Sequence, residues 1–179
     1  AWNTEGARPE LRVQALLDRG QTELDAKNPG GAIELLNEGL KKVQSWDSAD
    51  EAALAKRAFH LALAEIHRSE KKYDNALSAL ISAQQSSRNN DAQILQAAMN
   101  LSQNAFAARQ WPAARKILME LQNIWRIPRK VFLLNLIEIE IAEQRWGEAR
   151  KALGEIETLS LTSGEKTAVQ QLRAQIPVS

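Results

Sequence analysis

The sequence predicts an all-α protein of about nine helices. Three observations predict this fold class. Apolar residues recur at spacings of three and four, the periodicity of a helix with one buried face. The five prolines and eight glycines fall mostly between these periodic segments and divide the chain into stretches of helix length. One short turn sequence recurs four times, each time between the two members of a helix pair.

The first pair of helices is predicted over residues 10–45. Leu16 and Leu24 lie at helical spacing, and the proline just before this segment suits the first turn of a helix. Asn28 and Pro29 are predicted to be the N-cap and the first residue of the second helix.

The second pair is predicted over residues 48–87. Ser48 and Glu51 have the spacing of a capping box, in which each side chain bonds to the backbone N–H of the other residue. The partner helix is predicted to begin at Asp74 and to end near Ser86.

The third and fourth pairs are predicted over residues 91–125 and 128–157. Asn90 is the predicted N-cap of the third pair, and Pro112 stands at the start of its second helix. Pro128 is predicted to open the fourth pair.

One segment of the fourth pair, from Leu136 to Ile141, alternates apolar and polar residues with the period of a strand. A single strand among helices would have no pairing partner, and a helix that packs on two sides is apolar almost all round. We therefore predict a helix here as well.

The two ends of the chain are predicted to differ from the paired helices. Thr162 and Glu165 form a second capping-box pattern, which predicts a final single helix over residues 162–176. Residues 1–9 are predicted to be an N-terminal extension.

The four turns are versions of one pattern. Each carries an alanine with a leucine four residues later, and three of them have an aromatic residue three positions before the alanine. The alanines are 44, 38 and 35 residues apart, which converges on the ~34-residue period of helix-turn-helix repeats. A small side chain lets the two helices cross closely, and the leucine fills the adjacent groove. The residues are Ala32 and Leu36; Tyr73, Ala76 and Leu80; Trp111, Ala114 and Leu118; and Trp146, Ala149 and Leu153. The small residues Gly20, Ala64 and Ser102 stand twelve positions before the first three alanines.

This pattern resembles the tetratricopeptide repeat family over about residues 10–157, and residues 162–176 resemble the capping helix of such arrays. The closest match is residues 73–76, whose sequence is Tyr-Asp-Asn-Ala. The chain departs from the family at Pro29, which replaces the aromatic residue, and at Ile137, which replaces a small one. The resemblance implies a right-handed superhelical solenoid of four antiparallel helix pairs. It also implies a non-catalytic scaffold or adaptor that binds a segment of another protein.

In this family the first helix of each pair lines a concave groove, so the resemblance also implies groove residues. They are Gln14, Leu17, Gln21, Leu61, Glu65, Gln96, Met99, Asn100, Gln103, Val131, Leu134, Asn135 and Glu138, together with Asp18, Ala58 and Ala62. Asn100 and Asn135 occupy equivalent slots, where an amide both donates to and accepts from a peptide backbone. They are equally well explained as solvated polar side chains. The basic residues that clamp a C-terminal carboxylate in chaperone-binding members are missing at these slots, which favours an extended segment or a helix over an acidic tail.

No catalytic residue, cofactor or metal ligand is predicted. His60 and His67 are ~10.5 Å apart along one helix, at ~1.5 Å per residue, too far to bind one metal ion directly, and both are predicted to pack in the core. Glu138 and Glu140 are predicted to point to different faces. Cysteine is absent from the sequence, as are Gly-rich phosphate loops and nucleophile motifs.

The distribution of charge argues against a nucleic-acid partner, because the 23 Lys and Arg residues are mixed with 22 Asp and Glu residues along the chain. The basic cluster of Arg126, Arg129 and Lys130 is interpreted as a helix junction. The apolar run over residues 131–142 is interrupted by polar residues, so we expect no membrane insertion. Two alternative functions remain open: a self-associating structural domain of a larger membrane-anchored or secreted assembly, which would form a homo-oligomer, and single-stranded RNA binding.

Composition is compatible with more than one compartment. A chain without cysteine suits the cytosol and an oxidising space alike. The first residue is Ala rather than Met, which we interpret as the sign of an expression fragment or a processed precursor. These features favour a bacterial periplasmic or other extracytoplasmic location and leave the cytoplasm open.

Overall fold

The computed structural model describes residues 8–87, 89 and 91–177. Within these residues the fold consists of nine α-helices and has no strand, which confirms the predicted all-α class and number of helices. The helices are α1 (Pro9–Asp25), α2 (Pro29–Val43), α3 (Ala49–Ser69), α4 (Tyr73–Gln85), α5 (Ala92–Ala107), α6 (Trp111–Asn123), α7 (Arg129–Ala142), α8 (Trp146–Glu157) and α9 (Ser163–Ala174).

The chain divides into two compact units, Ala1–Ala97 and Ala98–Ser179. The division falls inside α5, within the predicted third helix pair. In the first unit α1 packs on α2, α2 on α3 and α3 on α4, and α1 also contacts α3. In the second unit α6 packs on α7 and α7 on α8, and α9 contacts both α7 and α8.

The four turns predicted to be equivalent have the same backbone geometry. In each, one residue has a left-handed φ of 58–59°. Its N–H donates to the carbonyl three residues back, at 2.8–3.0 Å, and the next N–H donates to the carbonyl five residues back, at 2.8–2.9 Å. These two bonds form a Schellman motif, which satisfies the last carbonyls of the first helix before the second begins. The left-handed residues are Lys27, Lys71, Arg109 and Gln144.

Packing at the turns agrees with the roles predicted for the small and apolar residues. The four turn alanines are 0% exposed, and the four leucines that follow them are 1–3% exposed. Ser102 Oγ donates to the carbonyl of Ala114 at 3.4 Å, and a Cβ placed on Gly20 would lie 3.8 Å from Leu36. Helices α1 and α2, and likewise α5 and α6, therefore approach closely at these residues.

Side-chain caps fix several helix starts. Asn28 accepts a hydrogen bond from the Gly31 N–H at 3.0 Å, and Ser48 accepts one from the Glu51 N–H at 3.3 Å. The predicted capping box of α9 is complete, with bonds of 2.7 and 3.3 Å between Thr162 and Glu165.

The start of α5 differs from its prediction. Asn90, the predicted N-cap, lies outside the described residues. The Oδ1 atom of Asp91 accepts hydrogen bonds from the N–H groups of Gln93 at 2.9 Å and Ile94 at 3.3 Å, so its side chain caps this helix. Pro128 also differs slightly, since it is the N-cap residue of α7 rather than its first helical residue.

The alternating segment of α7 is helical, as predicted. Ile137 and Ile139 are buried, and Glu138 is exposed. Glu140 is buried because its carboxylate is paired: Nε and Nη2 of Arg115 lie 2.9 and 3.2 Å away, and Nε of Arg145 lies 3.1 Å away. The strand-like alternation thus arises from a helix with apolar neighbours on two sides and one neutralised buried charge.

In the part of the chain that the structure describes, no helix combines the length and apolar character needed to cross a membrane. This agrees with the expectation for the apolar run in α7.

Acid is expected to weaken the attachment of α9. The hydrogen bond from Lys130, with those from Thr162, lowers the pKa of Glu165 from 4.5 to about 2. Because the pKa is lowered in the folded state, this contribution to stability is complete above pH 4.5 and is lost as the pH falls towards 2. Protection of the α9 amides from hydrogen exchange, corrected for the intrinsic pH dependence of exchange, is expected to fall over this window. Glu165→Gln should remove most of the pH dependence, and an unchanged profile in that variant would contradict the assignment.

Candidate functional site

A groove of about 540 Å³ opens between α1 and α3 of the first unit. This volume lies within the ~300–1,000 Å³ typical of ligand pockets. Helix α1 contributes Leu17, Gly20, Gln21 and Leu24; α2 contributes Pro29 and Leu36; α3 and its C-cap contribute Ala62, Glu65, Ile66, Ser69 and Glu70.

The groove has an apolar floor because of two small residues on facing helices. Gly20 on α1 and Ala62 on α3 leave open the space above Leu36 and Ile66, both of which are buried. Leu17 on the α1 wall is half-buried. An apolar side chain from another molecule would lose its contact with water here, which favours binding.

The rim of the groove is polar and carries negative charge. Glu65 accepts a hydrogen bond from Arg68 Nε at 2.8 Å, and this bond lowers the pKa of Glu65. Glu70 pairs with Lys72 at 3.1 Å. On the opposite wall, Gln21 Nε2 donates to the carboxylate of Asp25 at 2.8 Å.

The structure brings together some of the predicted groove residues of the first unit and not others. Leu17, Gln21 and Glu65 line the groove, as does Ala62. Gln14 and Leu61 belong to the same two helices but lie outside the groove lining. Gln14 is exposed, and its side-chain amide donates to Asp18 at 2.7 Å. Asp18 and the half-buried Ala58 also lie outside the groove lining.

The remaining predicted residues lie on α5 and α7. Gln96 is exposed on the part of α5 that belongs to the first unit. In the second unit Met99 is half-buried, and Asn100 and Gln103 are exposed. On α7, Val131, Leu134 and Asn135 are half-buried, and Glu138 is exposed with its pKa raised by desolvation.

The side-chain amide of Asn135, which was predicted to contact a peptide, already forms a hydrogen bond within its own helix. Its Nδ2 donates to the Val131 carbonyl of the same helix at 2.7 Å. A bound backbone would have to use the amide oxygen or the second N–H, or displace this bond. The role of Asn100 and Asn135 in gripping a peptide stays a prediction.

The two histidines are less buried than predicted. Both are half-buried on α3, and burial lowers the pKa of each. The core position beside His60 is filled by Phe59, which is fully buried. Over the described ranges, no group of three His, Cys, Asp or Glu side chains is placed to hold a metal ion.

Two residues of the basic cluster, Arg129 and Lys130 in the first turn of α7, form ion pairs. Arg129 donates to Glu155 at 2.7 and 2.9 Å and lies 4.7 Å from the ring centre of Phe132. Lys130 pairs with Glu165 at 2.8 Å. These contacts hold α8 and α9 against α7, as the interpretation of a helix junction requires.

Sequence reasoning missed several lining residues of the groove. Leu24, Pro29 and Leu36 were assigned only to helix caps or to packing, Ile66 was given no role, and Glu70 follows the last residue of α3. Gly20 carried a signal, because it is the small residue twelve positions before the turn alanine. That spacing marks a close helix crossing, and the groove opens beside it.

No protein-family model, curated protein or solved structure matches the chain.

Proposed function

We propose that this chain is a non-catalytic protein-interaction module that binds a peptide or helical segment of a partner protein in the groove between α1 and α3. The observation that carries the proposal is the combination of a buried apolar floor, at Leu36 and Ile66, with a rim of polar and charged side chains. Apolar contact supplies affinity in such a groove, and a few polar groups fix the orientation of the ligand.

We also infer that the helix pairs stack as a tetratricopeptide-like superhelical solenoid. The four identical Schellman turns support this inference. So do the contacts between alternate helices within each unit, α1 with α3 and α7 with α9, which stacked pairs make.

The test is a substitution that fills the groove. The partner is first isolated from the source organism with this chain as bait and identified, and its affinity is then measured by titration calorimetry. Ala62→Arg adds a long charged side chain to the groove lining, and we expect at least a tenfold loss of affinity, about 1.4 kcal/mol.

The matched control is Ala15→Arg, the same substitution at an exposed position of α1 outside the groove. It should leave the affinity within about twofold of the wild type, a change of under about 0.5 kcal/mol. Equal affinities of the two variants would show that the partner binds elsewhere. Circular dichroism of both variants checks that they keep the helical fold.

A further inference from the structure

Carboxylates dominate the surroundings of the groove in the first unit. Glu65 and Glu70 are part of its lining, and the lining contains no Lys or Arg. Asp18 and Asp25 stand on α1 on either side of Gln21, and both accept hydrogen bonds from glutamine amides, which leave their charge in place. The composition of the first unit is acidic as well. Residues 1–97 contain 12 Lys and Arg against 14 Asp and Glu, whereas residues 98–179 contain 11 Lys and Arg against 8 Asp and Glu.

Each of the two glutamates in the groove lining already has a basic partner on the same surface. Arg68 and Lys72 pair with Glu65 and Glu70, but these are surface pairs between neighbours on the chain. Exposed pairs contribute little to stability, so a cation from a bound molecule can replace Arg68 or Lys72 at small cost.

We infer that the groove selects a cationic amphipathic segment, with a bulky apolar side chain above Leu36 and Lys or Arg beside Glu65 and Glu70. This inference rests on the proposed function and names the chemistry of the partner. An acidic segment would place like charges beside the two glutamates and is therefore disfavoured. Charge of this sign also accelerates encounter with a basic partner, and the acceleration falls as salt screens it.

The test uses three synthetic peptides of equal length, blocked at both ends. One contains leucine and lysine, and the other two have glutamine or glutamate at every lysine position. We expect the lysine peptide to bind at least tenfold more tightly than the glutamine peptide in fluorescence anisotropy. In ¹⁵N NMR it should shift the amide signals of Leu17, Gln21 and Glu65, and its affinity should fall with added salt.

A pair of double variants separates groove recognition from general attraction. Glu65→Gln with Glu70→Gln should abolish the preference for lysine over glutamine. Glu34→Gln with Glu38→Gln makes the same change in net charge on α2, outside the groove, and should keep the preference.

Three outcomes overturn the inference. These are equal binding of the lysine and glutamine peptides, equal losses in the two double variants, and no signal shift in the groove with any peptide. None of these outcomes affects the proposed function, which stands or falls with the affinity of the natural partner for the Ala62→Arg and Ala15→Arg variants.

Discussion

Replacing Glu140 by alanine is expected to lower the free energy of unfolding of the second unit by about 3–5 kcal/mol. Glu140 is 3% exposed, and its carboxylate bonds to Arg115 at 2.9 and 3.2 Å and to Arg145 at 3.1 Å. Arg115 is itself largely buried and also bonds to Glu143. Removing Glu140 leaves the largely buried Arg115 with Glu143 alone, so part of its charge is held where water cannot solvate it fully, whereas Arg145 is 47% exposed and can turn to solvent.

The control for this prediction is Glu155→Ala. Glu155 pairs with Arg129 in the same unit, but both side chains are nearly half exposed, so the loss should stay below about 1 kcal/mol. Thermal unfolding followed by circular dichroism should show a midpoint roughly 10 °C lower for Glu140→Ala and little change for Glu155→Ala. Amide hydrogen exchange should accelerate first in α6, α7 and α8. Similar losses in the two variants would contradict the difference in burial.

The ion cluster around Glu140 could be predicted from the sequence only in part. Helical spacing predicted that Glu138 and Glu140 point to different faces, since this follows from the geometry of one helix. Which of the two is buried depends on Arg115, which is 25 residues away and belongs to another helix. Periodicity relates residues within one helix and carries no information about charge pairs between helices.

The turns were predictable because their interactions are local. The alanine, the leucine and the following helix start all lie within ten residues, and the structure gives all four turns the same hydrogen bonds. The left-handed residues were not predictable from composition. Glycine is the usual residue at such positions, and here Lys27, Lys71, Arg109 and Gln144 adopt this conformation instead.

Three lining residues of the groove, Leu17, Gln21 and Glu65, were expected from the resemblance to the tetratricopeptide repeat, in which the first helix of each pair lines a groove. Leu36 comes from a second helix, and Glu70 lies at the C-cap of α3, beyond its periodic part. The acidic character of the groove therefore could not be predicted from the sequence, because it depends on how three helices and the C-cap of α3 pack together.

Replacing Gly39 by valine is expected to cost about 3 kcal/mol of stability in the first unit, at the upper end of values for overpacked cores. Gly39 lies in α2, and a Cβ there would stand 2.7 Å from Leu16 Cδ1 and 2.9 Å from Phe59 Cζ. Leu16 and Phe59 are each 1% exposed, so neither side chain can move aside without disturbing the packing of α1 or α3. Helix propensity alone predicts a gain in stability instead, because valine is a better helix former than glycine by about 0.4 kcal/mol.

Gly154→Val separates the two effects. Gly154 lies on the exposed face of α8, and a Cβ there would meet nothing within 4 Å, so only the propensity term acts. Urea unfolding should therefore show a lower midpoint with an unchanged slope for Gly39→Val, and a change within about 0.5 kcal/mol for Gly154→Val. If Gly39→Val unfolded at the wild-type urea concentration, α1 and α3 could not both pack against this face of α2. The groove between them, whose floor includes Leu36 one turn earlier on α2, would then lose its structural basis.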